Sequence, residues 1–317
     1  MRVHVRTRRL AIAAFAIGAV ALFYAAGGQG SPAAADEAGP RTFDTPDAAA
    51  AAAVEAASKN SDEMIKALVG AGSADVIQSG KDPLVAQARA DFAKRAAESL
   101  TLADNEDGSK TIVVGHNKWP LPIPLVKTEA GWQFDGEAGR EEILARRIGR
   151  NELEAIDVCR MYARAQIEYA SKDRDGDEVR EYAQRIRSTP GKQDGLYWDA
   201  AEGEETSPMG PFVEPMKAYL DNREAGDPFG GYVWRILTGQ GPSAPGCRHS
   251  YVINGNMIAG FALVGYPATY GNTGVMTFMV SHHGKVLQKD LGENTETTVR
   301  AMRGYNPDKT WTAVEDE

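Results

Sequence analysis

Asp173, Asp175, Asp177 and Glu181 crowd four carboxylates into one short stretch, the spacing by which a loop wraps a calcium ion in hard oxygen ligands. Set against the EF-hand loop, Asp173, Asp175 and Asp177 take the first, third and fifth places. Val179 offers its carbonyl at the seventh and Glu181 falls on the ninth. Two places depart from that pattern: Glu178 stands where Gly is needed, and Gln184 where a bidentate Glu is needed. Both departures count against a true EF-hand. Two readings remain, a looser calcium loop, or a helix-ending turn whose acids are solvated or paired with Arg174, Arg180 or Arg185. Calcium is the one cofactor these residues suggest.

The other chemically capable residues are scattered. Cys159 and Cys247 are expected either to pair, stapling a helix to a sheet for about 4 kcal/mol, or to remain two separate thiols. No C-x-x-C or ligand-spaced histidine pair argues for zinc or redox chemistry. A Cys247–His249 dyad lacks a third, orienting group. His282 and His283 fill a turn, where side chains usually face water. The sequence contains no HExxH, GxSxG or P-loop, and Gly239–Gly246 has the glycines of a phosphate cradle without its Lys-Ser/Thr. His116, Trp119 and Trp132, with Glu129 at the rim, are the candidates to line a ligand pocket in the N-terminal half.

The elements that position these residues are legible from caps and periodicity. Thr45-Pro46 opens a helix, Ser61-Asp62 a second, and Phe92, Ala96 and Leu100 mark a third. Strand-like runs follow at Ser99–Ala103, Lys110–Gly115, Ile123–Lys127 and Gly131–Asp135. From Glu137, apolar residues at steps of three and four predict one long helix reaching Asp173, with a break or bend near Gly149. Prolines and glycines between 187 and 230 forbid long elements, allowing one short helix around Met216–Leu220. Five β-rich runs then cover Tyr232–Thr238, His249–Asn254, Met257–Tyr266, Val275–Val280 and Lys285–Lys289, before a helix at Glu296–Arg303. Asn254-Gly255 signals a tight hairpin. The fold class is therefore α+β: N-terminal helices plus a curved antiparallel sheet, then a long helix packed on a C-terminal antiparallel meander.

Arg2, Arg6, Arg8 and Arg9, an uncharged apolar run from Leu10 to Ala26 and an A-x-A site at Ala33–Ala35 read as an export signal over residues 1–35. A retained anchor is the other reading of that run. Residues 36–41 follow as a disordered lead, 42–136 as an α+β domain and 137–317 as a helix-plus-sheet domain. The chain carries 35 basic and 44 acidic residues. Losing the four signal arginines leaves 31 against 44, a net charge of −13. Such a surface repels nucleic acid and anionic lipid.

FDTPDAAAAAAV, WPLPIPLVK, GWQFD, GREEILARRIGRNE, DRDGD, STPGKQDGLYW, GYPATYGNTGVMTFMV and GKVLQKDLG occur in this order between Phe43 and Trp311. Together they resemble an exported bacterial family of unknown function, DUF2950. That resemblance implies no activity. The first half is also similar to nuclear-transport-factor-2-like (cystatin-like) domains, and the second half to a type II secretion pseudopilin head. A pseudopilin carries its assembly helix at the N-terminus of the same domain, whereas here a whole domain intervenes, so the similarity implies shared architecture without fibre assembly. The expectation is a periplasmic, non-catalytic envelope module that partners other envelope proteins, binds no nucleic acid and has no stable membrane insertion after signal cleavage. The alternative is a small-molecule-binding or enzymatic protein using the His116, Trp119 and Trp132 pocket.

Overall fold

The computed structural model describes residues 39–70, 79–81, 83–174, 176–200, 203–213 and 227–315. The expected export signal, Asp175 and the short helix expected at Met216–Leu220 lie outside the described residues. The chain forms two compact units, Met1–Ile143 and Leu144–Glu317, and is α+β.

In the first unit, α1 (Pro46–Ser58) starts where Thr45 leaves the helix in an extended conformation and accepts the Ala48 N–H at 3.1 Å. Ser61 caps α2 (Asp62–Val69) in the same way, and Gly70 ends it at φ +82°. After α3 (Pro83–Glu98) come β1 (Leu100–Asp104), β2 (Lys110–Val114), β3 (Trp119–Pro120), β4 (Leu125–Thr128) and β5 (Gly131–Phe134). They form an antiparallel sheet in the order β1-β2-β4-β5, with β3 also paired to β2. Alternation along β2 sends Ile112 and Val114 inward, where they join Leu125 and Phe134 against Ala49, Ala50, Leu68 and Val69. The alanine face of α1 lets this helix approach closely.

The long helix α4 (Gly136–Tyr169) is unbroken over 34 residues, which corrects the break expected at Gly149. A Cβ there would meet nothing, and a glycine inside a helix costs only about 1 kcal/mol relative to Ala. It ends at Tyr169, before Asp173. Most of its positions from Ala155 to Tyr169 are buried. Glu152 Oε1 accepts the Val275 and Met276 N–H groups, each at 2.9 Å, and the Asn151 side-chain amide donates to the Thr273 carbonyl at 2.8 Å. A single-turn helix, α5 (Gly210–Val213), lies in the irregular connection.

The main sheet of the second unit has the order β14-β13-β12-β11-β6, from β6 (Tyr232–Leu237), β11 (Ala262–Pro267), β12 (Met276–Ser281), β13 (Leu287–Asp290) and β14 (Thr312–Ala313). The interior strand β11, between β12 and β6, is buried at every residue, the signature of a strand covered on both faces. Gly265 is required there, because a Cβ would lie 2.3 Å from the Trp234 ring on β6. α6 (Thr295–Ala301) completes the unit; its last carbonyl turn receives the Arg235 guanidinium, which donates to Val299 and Met302.

The run expected as consecutive meander strands between β6 and β11 folds differently. β11 pairs directly with β6, while β7 (Gly239–Gln240) pairs with β8 (His249–Ser250) and β9 (Val252–Ile253) with β10 (Asn256–Met257). Exposed and buried residues are interspersed along residues 251–258, unlike the continuous burial of β11, so this segment cannot occupy a sheet covered on both faces. The Asn254-Gly255 turn is present, with φ of +53° and +98°, as a two-residue hairpin of this kind demands.

Candidate functional site

The acidic turn closes on itself and on the β9–β10 hairpin. Asp173 accepts the N–H groups of Gly176 and Glu178 at 2.8 and 2.9 Å. Asp177 accepts the Val179 N–H at 2.8 Å with one oxygen and the Asn256 side-chain amide at 2.6 Å with the other. Glu181 accepts the Met257 N–H at 2.8 Å. Glu178, at the place where the calcium-loop pattern has Gly, takes φ +67°. The turn thus has part of the calcium-loop backbone, while its described carboxylates are engaged by N–H donors of the chain itself. Among the described residues, no group of three His, Cys, Asp or Glu side chains is arranged to hold a metal.

The turn is anchored from behind. The Arg174 guanidinium lies 5.2 Å from the ring centres of both Tyr169 and Trp198, and its side chain is only 3% exposed. It donates to the Tyr169 carbonyl and, at 3.0 Å, to Glu205, which also accepts from Lys172. Lys172 foremost, then Arg174, hold the Glu205 carboxyl below the usual range.

Two further bonds fix the hairpin. Gln184 donates its side-chain amide to the Gly255 carbonyl at 2.6 Å, and the Tyr182 N–H donates to the Met257 carbonyl at 2.8 Å. Tyr251 and Met257 are fully buried at its base. Ile253 and Ile258 point the other way, 46% and 44% exposed. The Tyr182 ring packs on Phe261 at 4.8 Å, and Phe261 in turn packs on Tyr162 of α4 at 5.7 Å. Beneath it, Gln166 is completely buried: its amide donates to the Tyr162 hydroxyl and the Ala183 carbonyl, and its oxygen accepts the Ala183 N–H. Gln166, Gln184 and Asn256 were not among the candidate residues. Gln166 stands within the apolar series of the long helix, and a polar residue in that series was the available signal.

The remaining candidates are distributed elsewhere. His116 is exposed in the turn between β2 and β3. Trp119 sets its ring edgewise on Phe92 at 6.2 Å, whereas Trp132 pairs through its backbone with Phe43 and carries the Lys110 ammonium over its ring. Glu129 is exposed. The expected staple is corrected: Cys159 and Cys247 are both free thiols. Cys159 is sealed inside α4, where burial pushes its thiol well above the ordinary value, and Cys247 is exposed on a turn at φ +59°. His249 Nδ1 lies 3.2 Å from the Cys247 carbonyl, a contact with the backbone that gives the thiol no base.

No curated protein and no solved structure matches this chain. The model of a family described as a protein of unknown function, DUF2950, matches residues 40–314, and the chain belongs to that family.

Proposed function

We propose that this protein is an exported, non-catalytic interaction module of the cell envelope, and that the β9–β10 hairpin is the element it presents. The observation that carries this reading is the rigid tethering of a hairpin with two exposed isoleucines. Asp177, Glu181 and Gln184 each hold a different hairpin residue, at 2.6 to 2.8 Å. A segment ordered in advance loses little freedom on binding, so more of its contact energy survives as affinity. Covering each isoleucine would contribute about 1 kcal/mol.

The charged groups that looked most reactive serve as clamps in this account, which supports a structural role for them. What weighs against a ligand pocket in the first unit is the packing of Ile112, Val114, Leu125 and Phe134 against the helices. The pseudopilin-like and cystatin-like likenesses describe architecture under this reading, and neither brings fibre assembly or catalysis with it. Replacing Ile253 and Ile258 together by Asp is the test. The double variant should keep the wild-type melting temperature and lose co-migration with envelope complexes in native extracts. Unchanged co-migration would overturn the hairpin assignment, and turnover of an ester, peptide or glycoside abolished by one polar substitution would overturn the non-catalytic reading.

A further inference from the structure

We propose that the His282-His283 turn is a proton-operated latch holding the segment from His249 to Phe261 against the end of β12. The His282 ring is walled by Tyr251 at 5.6 Å and Phe261 at 6.2 Å, both edgewise, and by His283 at 4.2 Å. Its Nδ1 is buried without a hydrogen-bond partner. Gly260, at φ +135°, brings its backbone so close that a Cβ would stand 2.6 Å from that nitrogen. The low-cost state is therefore a neutral ring with its proton on Nε2 and a bare Nδ1 against the wall. Protonation would place an N–H and a positive charge on this buried nitrogen, close against the Gly260 backbone.

The titratable groups facing the ring add to this. His283 lies beside it on the same turn, and His249 flanks Tyr251 from the other side at 5.5 Å, and both disfavour a positive charge on the His282 ring. Tyr305 reaches the turn through the Ser281 hydroxyl. Burial, then His283, depress the His282 pKa; the Phe261 carbonyl opposes them, and His249 adds a smaller depression. The sign follows directly. The folded chain prefers the neutral ring, so the latch is at full strength above the ordinary histidine value of 6.5 and weakens as pH falls from there through the lower folded value. Its release is transmitted further, because the Tyr251 hydroxyl holds Gln240, whose amide holds the Pro245 and Cys247 carbonyls.

The inference stands whether or not the hairpin is a contact surface. Amide exchange of the mature protein, corrected for the chemical rate, should show several-fold more opening of residues 249–261 and 281–284 at pH 5.5 than at pH 7.5. His282→Phe, which keeps an aromatic ring and removes the titration, should lose that difference. Should this variant fail to fold, His282→Gln takes its place, and the ring titration of His282 in the wild type, followed by NMR, decides independently. A midpoint below 6.5 accompanied by opening supports the latch. A midpoint at or above 6.5, or equal pH responses in wild type and variant, overturns it.

Discussion

The first unit centres a network of polar side chains on one buried arginine, Arg89, whereas the second uses separate side chains, each gripping backbone in another segment. In the first, Asp62 accepts from the Gly80 N–H at 2.8 Å and from Arg89 at 2.7 Å, and Arg89 also donates to Asn60. In the second, Gln166 grips Ala183, Glu152 grips the start of β12, and Asp177, Glu181 and Gln184 grip the hairpin. The contrast teaches where to expect rigidity. A network centred on one buried arginine stabilises its surroundings. Clamps on backbone fix the path of the segments they grip, among them the β9–β10 hairpin outside the main sheet.

The largest expected effect falls on the buried clamp. Gln166→Ala strands the Ala183 N–H and carbonyl and the Tyr162 hydroxyl in the core, and should cost about 3 kcal/mol in denaturant unfolding of the second unit. A loss under about 1 kcal/mol would mean that water replaces the amide. Gly265→Ala comes next: the Trp234 ring must move aside, for about 2 kcal/mol.

The first-unit network provides the pH test of the comparison. The Gly80 N–H foremost, with help from Arg89 and Ser79, lowers the Asp62 carboxyl to about 2. A depressed carboxylate pKa stabilises the fold above the unfolded value of 3.8 and loses that contribution as pH falls toward 2. After allowance for solvent screening, Asp62→Asn should remove about 1 kcal/mol at pH 7 and flatten the acid limb of the first unit's melting profile. An acid limb unchanged by the substitution would place the titration elsewhere.

The smallest thermal effect belongs to the acidic turn. Because Asp173, Asp177 and Glu181 already accept N–H groups, melting curves in EDTA and in millimolar calcium should coincide. A rise in calcium would show that these acids leave their donors and converge with Asp175 on the ion.

Much of the framework was legible because local rules govern it. Thr45 and Ser61 cap where their side chains allow, Asn254-Gly255 turns the chain, and the apolar spacing of α4 gives its buried face. What escaped is non-local. Nothing in the residues around His249 says that β11 will reach past them to β6, since pairing partners are chosen by the burial of the whole sheet. The hydrogen-bonding roles of Asp177 and Glu181 escaped for the same reason: their partners lie 79 and 76 residues away. The pairing of Cys159 with Cys247 was likewise a matter of geometry between distant segments, which spacing does not encode.

Site-specific photo-crosslinking in intact cells probes the hairpin at its exposed isoleucines. A photoreactive side chain at Ile253 or Ile258 should give a discrete crosslink to an envelope protein, one at His116 should not, and Glu181→Ala should weaken the product by freeing Met257. Crosslinks absent from the hairpin, or equally strong from His116 and indifferent to Glu181, would contradict the account.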